Sequence, residues 1–341
     1  MATLKELSEQ TGYSAATISR ILNGDETLSV TDETRRIVLE EVARMGYTSN
    51  RGRRHHTNHS SLNIAIAERH TPAEQVTEPY YLFLSNYVRQ SCMDSKYSCV
   101  IMDHSDSLFS LSTGVHVDGI AAIGDFSGPQ IESLTAYSKN IVLIDTMPFD
   151  SPYDFLNIDF NYGISLALNH LFDLGHRKIC FIGPSLHRQG IPEPRYAAFT
   201  RIMREKNLLE DNLLLDVPTD IENAYHAVIG RLKDSCPAPT AFLCSTEESA
   251  IGAIYGIKKA GLSVPQDISV LSFDNTPKST LVDPALTSIS VHVEETARIA
   301  VRMLAERASL NGNPPVRKIP LHVTIPPSLE IRSSTARQEI N

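Results

Sequence analysis

Apolar positions along this chain change their period twice. From residue 4 to about 45 they recur every three or four residues, as on one face of a helix. Between 51 and 61 the periodicity disappears, which predicts a linker or a segment that orders on binding. From Leu62 onward, short apolar runs alternate with amphipathic windows, the signature of a parallel sheet flanked by helices. The runs predict strands over 62–67, 98–102, 119–123, 141–145, 178–182, 241–244 and 268–273. The windows predict helices over 80–95, 162–174, 194–206, 224–232, 248–260 and 294–310. One sheet holding all these strands would be large for a single core, and the pattern falls into similar halves before and after about residue 160. The fold class expected is therefore α/β: two doubly wound parallel-sheet subdomains with a cleft between them, preceded by an all-α headpiece.

The headpiece reads as a helix-turn-helix. Thr3 and Glu6 form the S/T-x-x-E pattern of a capping box, opening a helix that turns Leu4 and Leu7 inward. Gly12 supplies the turn, and Ser14 stands where a second helix needs an N-cap. Ile18, Ile21 and Leu22 face the first helix, while Ala15, Ala16, Thr17 and Arg20 project outward together. Small residues allow a helix to lie close in a DNA major groove, and one guanidinium can reach a guanine edge. On this stretch alone an ordinary amphipathic helix pair stays open as the alternative. Thr31-Asp32-Glu33 predicts the cap and acidic first turn of a third helix, running through Met45 and closed by Gly46.

Composition adjusts this picture in several places. The chain has 341 residues, enough for two or three domains. No run is apolar enough to span a bilayer, and the N-terminus carries a capping box where a signal peptide would have its charged head, so a cytoplasmic protein is expected. The five cysteines form no C-x-x-C pair, so core thiols are expected and neither a disulfide frame nor a zinc site. The net charge of −9 argues against nucleic acid only until it is read by segment. The first 60 residues hold eight Lys/Arg against eight Asp/Glu, and the run from Arg51 to His59 has three arginines and no acid. That run is the electrostatic footprint of a phosphate-binding segment. His55 and His59, at i and i+4, could ligate a metal, but no Cys or carboxylate accompanies them and solvated basic linkers are common. Neither a metal nor a cofactor is expected. No G-x-S-x-G, Walker loop or G-x-G-x-x-G is present, which argues against an enzyme. In doubly wound sheets ligands bind beyond the carboxyl ends of strands, which directs attention to Ala67, Glu68, Asp145, 183–195, 245–248 and Asp274.

Three stretches carry a family resemblance: A-T-I-S-R-I-L-N at 16–23, L-G-H-R-K-I-C-F-I-G at 174–183, and G-L-S-V-P-Q-D-I-S-V-L-S-F-D at 261–274. In order along nearly the whole chain, they resemble the lactose and galactose repressor family of bacterial transcription regulators. M-A-T-L-K at the start, D-E-T-L-S-V at 25–30 and P-Y-Y-L at 79–82 are most similar to repressors of β-galactosidase operons. The resemblance implies a homodimer that binds double-stranded DNA at a palindromic operator. It also implies a periplasmic-binding-protein-like core whose cleft takes a small sugar effector, a galactoside for that subfamily. The domains it implies are a DNA-binding headpiece over 1–49, a hinge over 50–60 and a sugar-sensing core over 61–341. Within the core the N-subdomain covers about 61–160 plus a C-terminal return, and the C-subdomain about 161–290.

By position, the resemblance assigns base reading to Ala15, Ala16 and Arg20, and phosphate contacts to Ser14, Thr17 and Asn23, with Thr3 and Leu4 beside them at the start of the first helix. In the cleft it assigns the effector to Asp145, Arg195, Thr246, Glu247 and Asp274. Three departures stand out. The family has Asn-Asp where this chain has Thr246-Glu247, and no sugar-stacking aromatic falls near Thr219. At the hinge, a leucine that wedges into the minor groove is replaced by His56, among Arg51, Arg53 and Arg54. No leucine heptads follow Ile331, so a dimer is expected and not a tetramer. A transport-type sugar-binding protein would share such a core, but it would be exported and the headpiece would have no purpose.

Overall fold

The structure is a computed structural model that describes residues 4–22, 30, 31, 34, 37, 38, 41, 61–105, 108–112, 115–146, 152–187, 190–309 and 313–338. Its contacts divide the chain into two units, one drawn from residues 1–60 and 309–314, the other from 61–308 and 315–341. In the first unit, helices α1 (Leu4–Thr11) and α2 (Ala15–Leu22) pack through Leu7, Ile18 and Ile21, all buried. Gly12 turns the chain between them at φ +72°, a left-handed conformation that costs glycine little. The Ser14 hydroxyl accepts the Thr17 N–H at 3.1 Å and caps α2. Thr31 likewise accepts the Thr34 N–H at 3.2 Å, and the described positions 34, 37, 38 and 41 are helical. The rest of the expected third helix and the whole 50–60 hinge lie outside the described residues.

The second unit holds fourteen described strands, numbered in chain order: β1 (Asn63–Glu68), β2 (Ser98–Ile101), β3 (Asp103–Ser105), β4 (Leu108–Ser110), β5 (Gly119–Ile123), β6 (Ile141–Ile144), β7 (Asp154–Ile158), β8 (Ile179–Ile182), β9 (Leu214–Leu215), β10 (Ala241–Cys244), β11 (Ser269–Asp274), β12 (Thr287–Ser290), β13 (His322–Ile325) and β14 (Ser328–Glu330). They build two six-stranded sheets, β13-β7-β6-β5-β1-β2 and β14-β12-β11-β10-β8-β9, and β3 and β4 pair as a separate hairpin. Every pair in the first sheet is parallel; in the second only β14 runs antiparallel, against β12. β5, β6, β8 and β10 are buried along their whole length, which is why they read as unbroken apolar runs. The chain passes from the first sheet to the second between Ile158 and Phe160, returns between Ser290 and Val293, and crosses again between Ile325 and Ser328. The helix Val293–Arg307 thus follows a second-sheet strand yet packs on β5 and on the helix Pro79–Asp94 of the first.

Two details set how the cleft is built. Gly252, in the helix Glu247–Lys259, lies so close to the helix Ile221–Lys233 that a Cβ would come within 2.3 Å of the Ile221 carbonyl oxygen. Glycine there lets the two helices meet, which anchors the helix whose N-terminus faces the cleft. Asp154, fully buried at the start of β7, accepts both Arg317 Nη1 and Nη2 at 2.8 and 2.7 Å and the Leu321 N–H at 2.7 Å, tying the approach to β13 in place.

Several elements differ from the expected ones. The expected 294–310 helix ends at Arg307, and the expected 224–232 helix is longer, Ile221–Lys233, because Asp220 caps it by accepting the Asn223 N–H at 2.8 Å. β3, β4, β7, β9, β12, β13 and β14 and the helices Pro72–Thr77, Gly128–Thr135 and Lys278–Leu281 are not among the expected elements. In β7 the polar Asp154 and Asn157 interrupt the apolar run, and β13 is a sheet edge whose His322 and Thr324 are exposed. No helix among the described residues is long and apolar enough to cross a membrane.

Candidate functional site

A cavity of about 480 Å³ lies between the carboxyl ends of the two sheets. Two strand ends supply its carboxylates: Asp145 follows β6 and Asp274 ends β11. Both adopt positive φ, +60° and +89°, a backbone conformation that costs a non-glycine residue about 1–3 kcal/mol and that concentrates at ligand sites. Between them sits Arg195, in the first turn of the helix Pro194–Glu205. Its Nε donates to Glu193 Oε1 and its Nη1 to the Ser245 carbonyl oxygen, each at 2.8 Å. Glu193 also caps that helix, its Oε2 accepting the Tyr196 N–H at 3.0 Å, so one carboxylate fixes both the helix and the guanidinium. The guanidinium lies over the Phe160 ring, 5.0 Å from its centroid.

The opposite wall is aromatic. Tyr81 donates its phenol proton to Asp145 Oδ2 at 2.9 Å and stacks on His70 with ring centroids 3.8 Å apart. Tyr80 meets Tyr81 edge to face at 5.0 Å. Two contacts span the mouth from sheet to sheet: Thr219 Oγ1 donates to Glu78 Oε1 at 3.1 Å, and His187 Nδ1 lies 3.5 Å from Asp125 Oδ2.

Burial governs the titration of these groups. It pushes Asp145 up to about 6 against the opposing pull of the Tyr81 hydrogen bond and Arg195, and pushes Asp274 well above the usual carboxylate range. It likewise raises the phenols of Tyr80 and Tyr81. On Arg195 burial acts against the charge, but the carboxylates of Glu193, Asp274 and Asp145 outweigh it and hold the guanidinium protonated. The cleft therefore offers carboxyl groups that can accept or donate, beside a fixed donor fork and flat apolar rings. Polyhydroxyl rings need that combination, since each hydroxyl both donates and accepts.

The expected site residues fall into three groups. Asp145, Arg195, Asp274 and Thr246 line the cleft. Thr246 does so as the N-cap of the helix Glu247–Lys259, accepting the Ser249 N–H at 3.3 Å and donating to the Thr219 carbonyl oxygen at 3.2 Å. Glu247 does not line it. Its side chain is buried and accepts hydrogen bonds from Thr276 and Ser279, while the neighbouring Glu248 faces the cleft and pairs with Lys278 at 3.0 Å. The physical reason is helical: successive residues in a first turn point about 100° apart, and the Thr276 and Ser279 hydroxyls capture the first of the two acids. The sequence marked none of Tyr80, Tyr81 and Phe160 for the cleft, and Glu193 only as part of the 183–195 stretch. The aromatic surface looked for near Thr219 comes from the other sheet, and P-Y-Y-L at 79–82 was its visible trace.

In the headpiece unit Ser14, Ala15, Ala16 and Arg20 are exposed on one face of α2 and its cap, with Thr17 half-buried beside them. The side chain of Leu4, and Thr3, Asn23, Arg51, Arg53, Arg54 and His56, as well as His55 and His59, lie outside the described residues.

Comparisons with known proteins agree with this geometry. Residues 168–335 match the model of the periplasmic binding protein-like domain. The chain is 28% identical to the HTH-type transcriptional repressor MelR of Bacillus subtilis (strain 168), over 98% of this chain and 97% of that protein. It is also 28% identical to the HTH-type transcriptional regulator GalR of Streptococcus thermophilus, over 98% of this chain and 100% of that one. Among solved structures, the lac repressor dimer bound to operator and the anti-inducer ONPF superposes with a TM-score of 0.65 at 22% identity, covering 98% of this chain and 99% of that one. The transcriptional regulator CelR–cellobiose complex gives a TM-score of 0.66 at 19% identity, covering 98% and 100%. Fold and cleft thus define a periplasmic-binding-protein-like sensor core joined to a helix-turn-helix. Along nearly its whole length the chain is similar to HTH-type transcription regulators of the lactose/galactose repressor (LacI/GalR) family.

Proposed function

We propose that this protein is a cytoplasmic repressor of a sugar-utilisation operon, whose affinity for a palindromic operator is set by a neutral sugar, a galactoside, bound between its two sheets. The observation that carries the sugar reading is the grouping of Asp145, Arg195 and Asp274 in one cavity, two carboxylates on residues of positive φ with a half-buried guanidinium, walled by Tyr80, Tyr81 and Phe160. The further acids Glu78, Asp125, Glu193 and Glu248 around the cleft oppose a strongly anionic ligand such as a sugar phosphate. The CelR–cellobiose complex named above, by its title a neighbour that holds a neutral sugar, supports the same class of ligand. The headpiece supports DNA binding through the exposed face of Ala15, Ala16 and Arg20, with Ser14 and Thr17 positioned for phosphates. Arg51, Arg53 and Arg54 would neutralise further phosphates next to the minor groove, where His56 makes a poorer wedge than leucine. Two headpieces are needed because one half-site binds too weakly, hence a homodimer.

The test is operator binding, by anisotropy, with and without galactosides, beside calorimetry of the same sugars. Asp274→Ala should lose both sugar affinity and sugar response while keeping operator affinity. Unchanged sugar affinity in that variant removes the assigned site. Arg20→Ala should lose about 1–3 kcal/mol per half-site of sequence discrimination while retaining weak, salt-sensitive binding. Discrimination equal to the wild type's would refute the groove assignment.

A further inference from the structure

Four of the cysteines sit in the two sheet layers, and they are not alike. Cys180 and Cys244 lie on the neighbouring strands β8 and β10, fully buried in the apolar core beside the second sheet. Burial pushes Cys180 up to about 12 and Cys244 well above the ordinary thiol range, so both are inert thiols of the kind the sequence led one to expect.

Cys92 and Cys99 are placed differently. Leu84, Val88 and Cys92 recur every four residues on the helix Pro79–Asp94 and are all buried, so Cys92 ends the stripe that this helix turns inward. The chain then reverses at once: the Tyr97 N–H donates to the Cys92 carbonyl oxygen at 2.8 Å, and Lys96 takes φ +60°. β2 follows as the edge strand of its sheet, with Cys99 beside Ile64 of β1. Val100 packs into the cluster of Phe109, Phe126 and Leu134, so its neighbour Cys99 points to the other face of the strand. There it meets the helix, and Cys92 and Cys99 are hydrogen-bonded thiol to thiol. That bond holds the Cys99 thiol below its ordinary value against its own burial, with Arg89 helping and Glu68 opposing. The same bond, together with burial, raises Cys92. Cys99 is half-buried and Cys92 fully buried. One sulfur is therefore both more ionised and more accessible, and a second waits in contact with it.

We infer that Cys92 and Cys99 are a peroxide-sensitive dithiol, in which Cys99 reacts first and Cys92 closes an intramolecular disulfide. The Cys99 thiolate attacks one oxygen of hydrogen peroxide; the O–O bond breaks, and the departing hydroxide takes up the proton that the thiol gave away. Cys99 is then a sulfenic acid. The Cys92 sulfur attacks the Cys99 sulfur, the S–S bond forms as the S–O bond breaks, and the second hydroxide leaves with the Cys92 proton as water. Two thiols and one peroxide thus give one disulfide and two waters, a two-electron oxidation. A disulfide draws two sulfurs closer than a hydrogen bond does, so the bridge pins the last turn of the helix to the edge strand. The helix pinned in this way carries Tyr80 and Tyr81 at its other end.

The test is oxidation of the full-length protein with hydrogen peroxide, followed by alkylation, tryptic digestion and mass spectrometry. Lys96 lies between the two cysteines, so the bridge appears as a cross-linked pair of peptides, 90–96 and 97–139, that dithiothreitol separates. In the reduced protein, N-ethylmaleimide should label Cys99 at least about tenfold faster than Cys180 or Cys244. Cys99→Ser should lose the cross-link, and Cys92→Ala should stop at the sulfenic acid, which dimedone traps. The wild-type result stands by itself if either variant fails to fold. In the oxidised wild type the backbone amides of 93–99 should exchange with solvent several-fold more slowly than in the reduced protein. Absence of the cross-link, equal labelling of Cys99, Cys180 and Cys244, or a cross-link without slower exchange overturns the inference. None of these readouts uses sugar or DNA, so the outcome is independent of the function proposed above.

Discussion

The two walls of the cleft are held by different physics. On the first-sheet side, Asp145 leans on one phenol, Tyr81, itself stacked on His70. On the second-sheet side, Arg195 is locked by Glu193, by the Ser245 carbonyl oxygen and by the field of Asp274, and Glu193 doubles as a helix cap. Loss of a side chain on the first wall removes a single neutral-to-charged hydrogen bond. Loss on the second strands several carboxylates at once. The contrast teaches that fold stability and ligand binding are entangled on one wall and separable on the other.

The sharpest way to break the contrast is Arg195→Met. With the guanidinium gone, Glu193 and Asp274 are buried without their cation, and removing one partner of such a pair costs about 3–5 kcal/mol. Urea unfolding at pH 7 should show that loss, and it should shrink at pH 5 as Asp274, whose carboxyl burial raises, takes up a proton. A variant as stable as the wild type at both pH values would mean the wall is not interlocked.

Glu247 sharpens the comparison from behind the second wall. Burial pushes it up to about 7 despite the hydrogen bonds from Ser279 and Thr276. Its folded value lies above the ordinary 4.5, so its stabilisation is full below about pH 4.5 and is lost as the pH rises through about 7. Glu247→Gln should remove that slope, a difference of at most about 3 kcal/mol between the ends of the window. Asp145 contributes a fall of the same sign between 3.8 and about 6, which remains in the variant. Parallel stability-against-pH curves for the two proteins would contradict the assignment.

On the first wall, Tyr81→Phe deletes the phenol that pulls the Asp145 value down, so Asp145 should titrate above about 6 and the fold should lose about 1 kcal/mol. Carboxyl-resolved NMR titration reads the first quantity and thermal unfolding the second. A larger loss of stability than Arg195→Met would invert the contrast.

The same contrast explains what the sequence disclosed. Parallel strands buried on both faces, such as β5 and β8, announce themselves as unbroken apolar runs, and the carboxyl-end rule points from them to Asp145 and Asp274. Arg195 falls at the end of the 183–195 stretch that the same rule marks, but its role came through family resemblance, since a lone arginine at a helix start has no local signature. Tyr80 and Tyr81 read as ordinary faces of an amphipathic helix, because nothing local says that Pro79–Asp94 begins at a cleft and not over a core. Glu247 and Glu248 are neighbours in sequence, and only the hydroxyls of Thr276 and Ser279, about thirty positions away, decide which one turns from the ligand. Long-range partners of that kind are invisible to spacing.

The two contacts across the mouth, Glu78 with Thr219 and Asp125 with His187, have a consequence for time rather than affinity. If these contacts close the mouth over a bound ligand, losing one of them should speed escape more than entry. Thr219→Val is expected to shorten sugar residence a few-fold in stopped-flow displacement, with the association rate nearly unchanged, because one neutral donor to a carboxylate is a small barrier. The cell would then read the sugar through a clock: how long the regulator stays in its ligand-bound state after the supply ends is set at the rim of the cleft, by residues that need not touch the sugar at all.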